Sequence, residues 1–249
     1  MTREDASPER STREDDVAAG YDDLSVAADD GLDATVSPWG DSHFQNLYAW
    51  PGTYPHLPPV EERDVLLAGC GRGDHVPWFR ERDATVTGID ASAAAVSTAR
   101  DGHRDADFAV ADLETGLPFD DHAFEVVVSN LVLSHVADWT PVLESFERVL
   151  RGDGTLVFAT IHPEYHRRNW GLDRYAERTR RIVDWGVADV PAYYRPLSTM
   201  LSAVANAGFV VDHVAEPTPT DAYADANPER YEAAMAAPQV LVVRASVTG

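Results

Sequence analysis

Between positions 60 and 160 the chain alternates two patterns of apolar residues. Short runs such as Val65-Leu66-Leu67-Ala68 are too brief for helices and suit strands buried on both faces of a parallel sheet. Such runs predict strands over 64–69, 84–89, 106–111, 124–130 and 153–160. Between them, apolar residues recur every three to four positions, which predicts helices over 74–82, 92–101 and 141–150. The last is the clearest: Pro141 suits a first turn, and Val142, Leu143, Phe146, Val149 and Leu150 share one face. Gly152 and Gly154 then offer a turn into the next strand. Strand and helix in alternation imply a parallel sheet covered on both faces.

The alternation breaks twice. Residues 162–191 form a long insertion rich in Arg and aromatics, among them Tyr165, Trp170, Tyr175 and Trp185. A helical face then follows at Leu197, Met200, Leu201 and Val204, with a strand over 209–214. After a second insertion, 217–238, the run Val240 to Val243 closes the pattern, and consecutive strands here suggest an antiparallel pair. On the other side, 1–16 is charged throughout and reads as a disordered acidic terminus. Residues 17–59 read as a helical lid, with Tyr21, Leu24 and Val26 in one helix and Phe44, Leu47 and Tyr48 in the next. Residues 60–249 form the main domain.

Candidate chemistry concentrates where the first strand ends. Gly69, Gly71 and Gly73 alternate with Cys70 and Arg72, a loop that turns tightly and exposes backbone amides to a ligand. A dinucleotide fingerprint needs glycine at the sixth position of the loop, where this chain has Asp74. Asp90 closes the second strand, a position from which an acid commonly binds a ribose. A ribose acid without a phosphate cradle points to a nucleoside ligand that carries no phosphates.

At this point the chain resembles the class I S-adenosylmethionine-dependent methyltransferases of the small-molecule type. Val65 to Gly73 resembles that family's first motif, Val86 to Asp90 the second, and Ala111-Asp112-Leu113 the third. Leu117-Pro118-Phe119 with Phe124 to Asn130 resembles the fourth, and Arg148 to Leu156 the helix-turn-strand that follows. One departure is Leu67, where the family usually carries Asp or Glu to help hold the ligand's amino group. The resemblance implies a Rossmann-like, doubly wound, mostly parallel sheet of seven strands, the last antiparallel. It implies S-adenosyl-L-methionine as cofactor, held by Gly69, Cys70, Gly71, Gly73, Asp90 and Ala91. Asp112, the family's contact to the adenine amine, belongs to the same set with Leu113, Ser129 and Asn130.

Methyl transfer is an in-line displacement at a carbon already activated by a sulfonium, so the protein must mainly align nucleophile and methyl. A base is needed only for an acceptor that arrives protonated. The expected acceptor-side residues are His162, directly after the fifth strand, with Tyr194, Arg195 and the lid residue Tyr21. His135 is open to either a functional or a packing role. A dehydrogenase using NAD and a module that binds its ligand without turnover are the alternatives. No metal site is expected.

Charge narrows the partners. The chain has 42 acidic and 20 basic residues, net −22, and every basic residue is Arg. This composition reads as adaptation to molar salt, where repulsion between carboxylates is screened. A surface without a basic stripe is unsuited to nucleic acid, so a small-molecule acceptor is expected. Cys70 is the single cysteine, which fits a reducing cytoplasm, and its place between glycines asks only for a small side chain. No apolar run approaches the roughly 20 residues of a membrane span. Nothing in the pattern speaks to oligomeric state.

Overall fold

A computed structural model describes residues 16–248 apart from 34, 36 and 41. Seven strands form one sheet: β1 (Asp64–Ala68), β2 (Thr85–Asp90), β3 (Asp107–Val110), β4 (Phe124–Asn130), β5 (Leu150–Ile161), β8 (Phe209–Ala215) and β9 (Val240–Val247). Their spatial order is β3-β2-β1-β4-β5-β9-β8. The first five pair in parallel. The last in sequence, β9, inserts between β5 and β8 and runs antiparallel to both. The expected α/β Rossmann-like architecture is the one present.

Helices cover both faces because each strand buries both of its faces. On one face Leu66, Val127 and Leu156 meet α5 (Trp139–Val149) through Val142, Leu143, Phe146 and Val149. There α7 (Leu197–Asn206) adds Met200 and Val204 to the same cluster. On the other face Val65, Leu67, Val126 and Val128 pack against Val76 and Phe79 of α3 (Val76–Arg80) and Val96 and Ala99 of α4 (Ala93–Gly102). Truncating a buried Phe such as Phe146 to Ala would cost about 3–5 kcal/mol. The predicted helix 74–82 is shortened to 76–80, and the turn expected at Gly152 and Gly154 lies inside the start of β5. There the β4–β5 register shifts between Phe124 and Val126.

Two layers lie over the carboxyl ends of the strands. The amino-terminal layer is α1 (Val17–Asp29), then a π-type turn over Gln45–Ala49 leading into the short α2 (Trp50–Thr53). Asp22 of α1 caps α4, accepting from Ser92 Oγ at 2.6 Å and the Ala94 amide at 3.0 Å. Gly20 lets α1 approach the second layer closely, since a Cβ there would stand 2.9 Å from Val190. That second layer comes from the first insertion: α6 (Pro163–Asn169) and a two-stranded hairpin, β6 (Thr179–Asp184) with β7 (Asp189–Tyr194). The second insertion contributes α8 (Asp221–Ala226) and α9 (Pro228–Ala236). Residues 1–15, part of the expected disordered terminus, lie outside the described residues. Among the described residues no helix is long and apolar enough to cross a membrane.

Candidate functional site

A cavity of about 1660 Å³ opens between the strand ends and these two layers. Small-molecule sites usually span roughly 300–1,000 Å³, so the space suits a nucleoside-sized ligand together with a second molecule. One half of its wall is the glycine loop. The amides of Gly69 and Cys70 both donate to the Ile89 carbonyl at 2.8 Å, which folds the loop back onto the end of β2. Gly69 and Gly71 adopt φ of +81° and +53°, a region costly for residues with a Cβ. A Cβ on Gly69 would overlap Val132, and one on Gly71 would overlap the indole of Trp39.

Asp90 stands at the centre of this half. Its Oδ2 accepts from the Gly71 amide at 2.8 Å and its Oδ1 from the Ser92 amide at 2.9 Å. Burial pushes its pKa up, against the pull of those amides. Each carboxylate oxygen keeps a second acceptor site, the chemistry required to receive a pair of ribose hydroxyls. Asp112 lies farther along the wall with Oδ1 committed to the Glu114 amide at 2.9 Å, which leaves Oδ2 for a ligand amine. Ala91, Leu113, Cys70 and Asn130 line the same cavity. The Asn130 amide donates to Gln45 Oε1 at 2.8 Å and to His75 Nε2 at 3.0 Å, tying β4 to the lid. Burial holds His75 neutral, lowering its pKa to about 4. Burial, reinforced by the Asp90 charge, also raises the Cys70 thiol, so that sulfur is a filler and not a nucleophile. This donor and acceptor set fits the adenosyl ligand expected from the motifs.

Two residues expected here are not on the wall. Gly73 is off the wall: a Cβ there would stand 2.7 Å from the ring of His103. Ser129 is fully buried within β4, and its hydroxyl has no partner among the described residues. Leu67, at the position of the usual acid, is only 5% exposed and packs in the core with Val65 and Val76.

The other half of the wall joins the lid to the first insertion. Tyr21 of α1 lines it, as do His135, Tyr165, His166, Trp170 and Trp185. Tyr21 Oη lies 3.0 Å from His135 Nε2, and His135 Nδ1 lies 2.8 Å from the Pro191 carbonyl oxygen. A carbonyl only accepts, so Nδ1 carries the proton and Nε2 accepts from the phenol. Burial lowers the His135 pKa, keeps the ring neutral, and raises the Tyr21 phenol.

His162, Tyr194 and Arg195 do not reach the cavity wall. His162 is 6% exposed and caps α6: its Nδ1 accepts from the Glu164 amide at 3.0 Å and its Nε2 faces Glu216 at 2.9 Å. Tyr194 is 1% exposed and donates to the Tyr175 carbonyl at 2.6 Å. Arg195 is 2% exposed; its guanidinium donates to the Val136 and Ala137 carbonyls and lies over the rings of Trp139 and Tyr193. His162 and Arg195 tie the insertion to the main domain, and Tyr194 braces it from within. His162 is expected from its place at a strand end, and Tyr194 and Arg195 from the resemblance; all three side chains turn into the packing. Trp39, His75 and His166, which the motifs did not single out, line the cavity instead. No local pattern could have found Trp39, because its partner Gly71 lies on a different segment. Among the described residues no group of His, Cys, Asp or Glu is placed to hold a metal ion.

Comparison with known proteins bears on the family and the fold. Residues 66–158 match the methyltransferase domain family. A solved S-adenosylmethionine-dependent methyltransferase from Mesorhizobium loti is 30% identical, with a TM-score of 0.72 over 82% of this chain and 99% of that one. Geranyl diphosphate C-methyltransferase from Streptomyces coelicolor A3(2) shares the fold at 19% identity, with a TM-score of 0.60 over 78% of each chain. Among curated relatives, the malonyl-[acyl-carrier protein] O-methyltransferase of Pseudescherichia vulneris is 30% identical over 135 residues. That match spans 53% of this chain and 53% of the relative, so the chain covers about half of that protein's length.

Proposed function

The chain belongs to the class I S-adenosylmethionine-dependent methyltransferases, and from that premise we propose that it methylates a protic group on a small molecule held between Tyr21 and the first insertion. The observation that carries this reading is the forced direction of the hydrogen bonds along Tyr21, His135 and Pro191. Since Tyr21 gives its proton to Nε2, its oxygen lone pairs remain to accept from an acceptor O–H or N–H. Proton transfer then runs from acceptor to Tyr21 and from Tyr21 to His135, and the Pro191 carbonyl steadies the imidazolium that forms. Bound S-adenosylmethionine supplies an electrophilic methyl carbon on its sulfonium. The chain's own work is to hold the two molecules in line and exclude water, which proximity alone can make worth several kcal/mol. In this reading Asp90 and Asp112 hold the adenosine and the glycine loop faces the amino-acid end. His162, Tyr194 and Arg195 act by fixing the insertion in place.

The salt-adapted reading of the charge belongs to the same proposal, as does a low-molecular-mass acceptor in preference to nucleic acid. The experiment is labelled methyl transfer from S-adenosylmethionine into a metabolite extract, with the low-molecular-mass and macromolecular fractions counted separately. Label confined to protein or nucleic acid would overturn the small-molecule reading. With an acceptor in hand, Tyr21→Phe and His135→Gln should each lower kcat by roughly 10²–10⁴, the usual range for general acid–base catalysis, while cofactor affinity stays within a few-fold. Wild-type turnover in both variants would remove the pair from the mechanism.

A further inference from the structure

Two side chains on the cavity wall are buried with polar atoms that nothing in the chain satisfies. His166 of α6 is 5% exposed, and its Nδ1 has no partner among the described residues. Its ring lines the cavity and stacks on Trp170, 4.2 Å between centroids and 12° between planes. Stacking uses a face of the imidazole and leaves the nitrogens at its edge unused. Gln239, immediately before β9, is 7% exposed and lines the same cavity. Its backbone is fully engaged: the carbonyl accepts from the His162 amide at 2.8 Å, and the amide donates to Tyr48 Oη at 3.3 Å. Its side-chain amide has no partner among the described residues.

The two groups are neighbours in the fold. The Gln239 carbonyl holds His162 at the start of α6, and His166 stands one turn farther along, where its amide donates to the His162 carbonyl at 3.4 Å. Buried polar atoms without a partner are rare, and each marks a place that a water or a ligand completes. Burial, with His135 and Arg195 nearby, keeps the His166 ring neutral and lowers its pKa to about 3. A neutral imidazole offers one donor and one acceptor, and a carboxamide offers both kinds. Little here would draw an anion. Asp184 and Glu114 are on the wall, and Arg230, the one guanidinium there among the described residues, donates to the Thr35 carbonyl at 2.8 Å.

We propose that His166 and Gln239 form a second anchor for the acceptor, binding an uncharged group that both donates and accepts hydrogen bonds, such as a hydroxyl or a carboxamide. The acceptor is then a molecule without negative charge and with two polar ends. One is the protic group methylated beside Tyr21, and the other is held against α6 and the start of β9. This inference rests on the small-molecule reading above and narrows it to a substrate class.

The probe is the metabolite extract, offered with labelled S-adenosylmethionine to wild type, His166→Phe and Gln239→Leu. Phe keeps a ring against Trp170 and Leu keeps most of the bulk of Gln, while both remove the polar atoms. The extract concentration that gives the half-maximal rate should rise at least about fivefold in each variant, the loss expected when a buried polar group of the ligand is left unpaired. The saturated rate and the affinity for S-adenosylmethionine should stay within a few-fold of wild type. Because an unpaired polar group gives way to an apolar one, the thermal midpoint should hold or rise. In electrophoresis at neutral pH the labelled product should not move to the anode. Wild-type dependence on extract in either variant would overturn the paired anchor, and a lowered midpoint with lowered cofactor affinity would do so by making the residues structural. A product that moves to the anode would overturn the uncharged class. Label absent from the low-molecular-mass fraction of wild type would overturn the small-molecule reading beneath, an outcome distinct from a variant that matches wild type.

Discussion

Gly71 combines a backbone at φ +53° with a neighbour, Trp39, standing where a Cβ would go. Gly71→Val therefore strains the loop and displaces the indole. Cofactor affinity should fall at least tenfold while the circular dichroism spectrum keeps its shape, because the change is confined to the loop and the Trp39 indole and leaves the strands and the helices that cover them in place. Asp90→Ala should weaken cofactor binding by roughly 1.5–3 kcal/mol, the range for hydrogen bonds to a charged group, as read by the same titration. Unchanged affinity in both variants would place the cofactor elsewhere. These residues were legible because glycine spacing and a strand-end acid are local signals. The Tyr21–His135 contact was not, since its partners are 114 positions apart and nothing near either one announces the other. The pH profile gives a check on that pair. Burial lowers the His135 pKa, so kcat/KM should hold from neutral pH downward and fail only below the ordinary histidine value of about 6.5. A loss of activity centred above pH 7 would assign the acid limb to another group.

At the scale of elements, α6 shows how a residue chosen for chemistry turns out to hold structure. The Glu164 amide donates to His162 Nδ1, so the neutral ring must carry its proton on Nε2, where it meets Glu216. Burial lowers the His162 pKa despite the attraction of Glu216. A folded pKa below the unfolded one means the unfolded chain takes up the proton first. The stability contributed by this cap is thus fully present above pH of about 6.5 and is lost as pH falls through the lower folded value. His162→Ala should cost roughly 1 kcal/mol in a chemical melt at pH 7.5, on the order of other lost caps, and less at pH 5. Cofactor affinity should not move. A cost that grows on acidification would mean that the folded chain holds the His162 proton more tightly than the unfolded one, the reverse of the shift assigned to burial. The amphipathic helix over 139–149 and the buried strands were readable because each satisfies its period over a long stretch. The hairpin was not: β6 is largely exposed, so it has no alternating face, and Pro191 interrupts the reading of β7.

Across the whole molecule the dominant force yet to be balanced is self-repulsion. Net −22 on 249 residues leaves 42 carboxylates against 20 guanidinium groups. Many of the ion pairs present are exposed at both partners, such as Arg174 with Glu177 and Arg148 with Asp121, and exposed pairs contribute at most about 1 kcal/mol each. The amino-terminal layer is the vulnerable part, because beside the small apolar contact of Leu24 with Ala95 and Val190, α1 is held by charged contacts, Asp22 on the amino-terminal end of α4 and Asp29 with Arg72. Removing salt lengthens the Debye screening distance from about 3 Å at 1 M to about 10 Å at 0.1 M, which turns on repulsion between carboxylates that are neighbours without being in contact. The thermal midpoint should therefore fall by many degrees between 2 M and 0.1 M KCl. Repulsion scales with charge and not with the identity of the added ion, so NaCl should restore most of what KCl does. Because Trp39 and Gln45 of the amino-terminal layer also reach Gly71 and Asn130, S-adenosylmethionine affinity should decline before the global melt as salt is withdrawn. A midpoint that stays level or rises on dilution would rule out salt adaptation. A cofactor affinity that survives until global unfolding would show that the lid and the sheet come apart together.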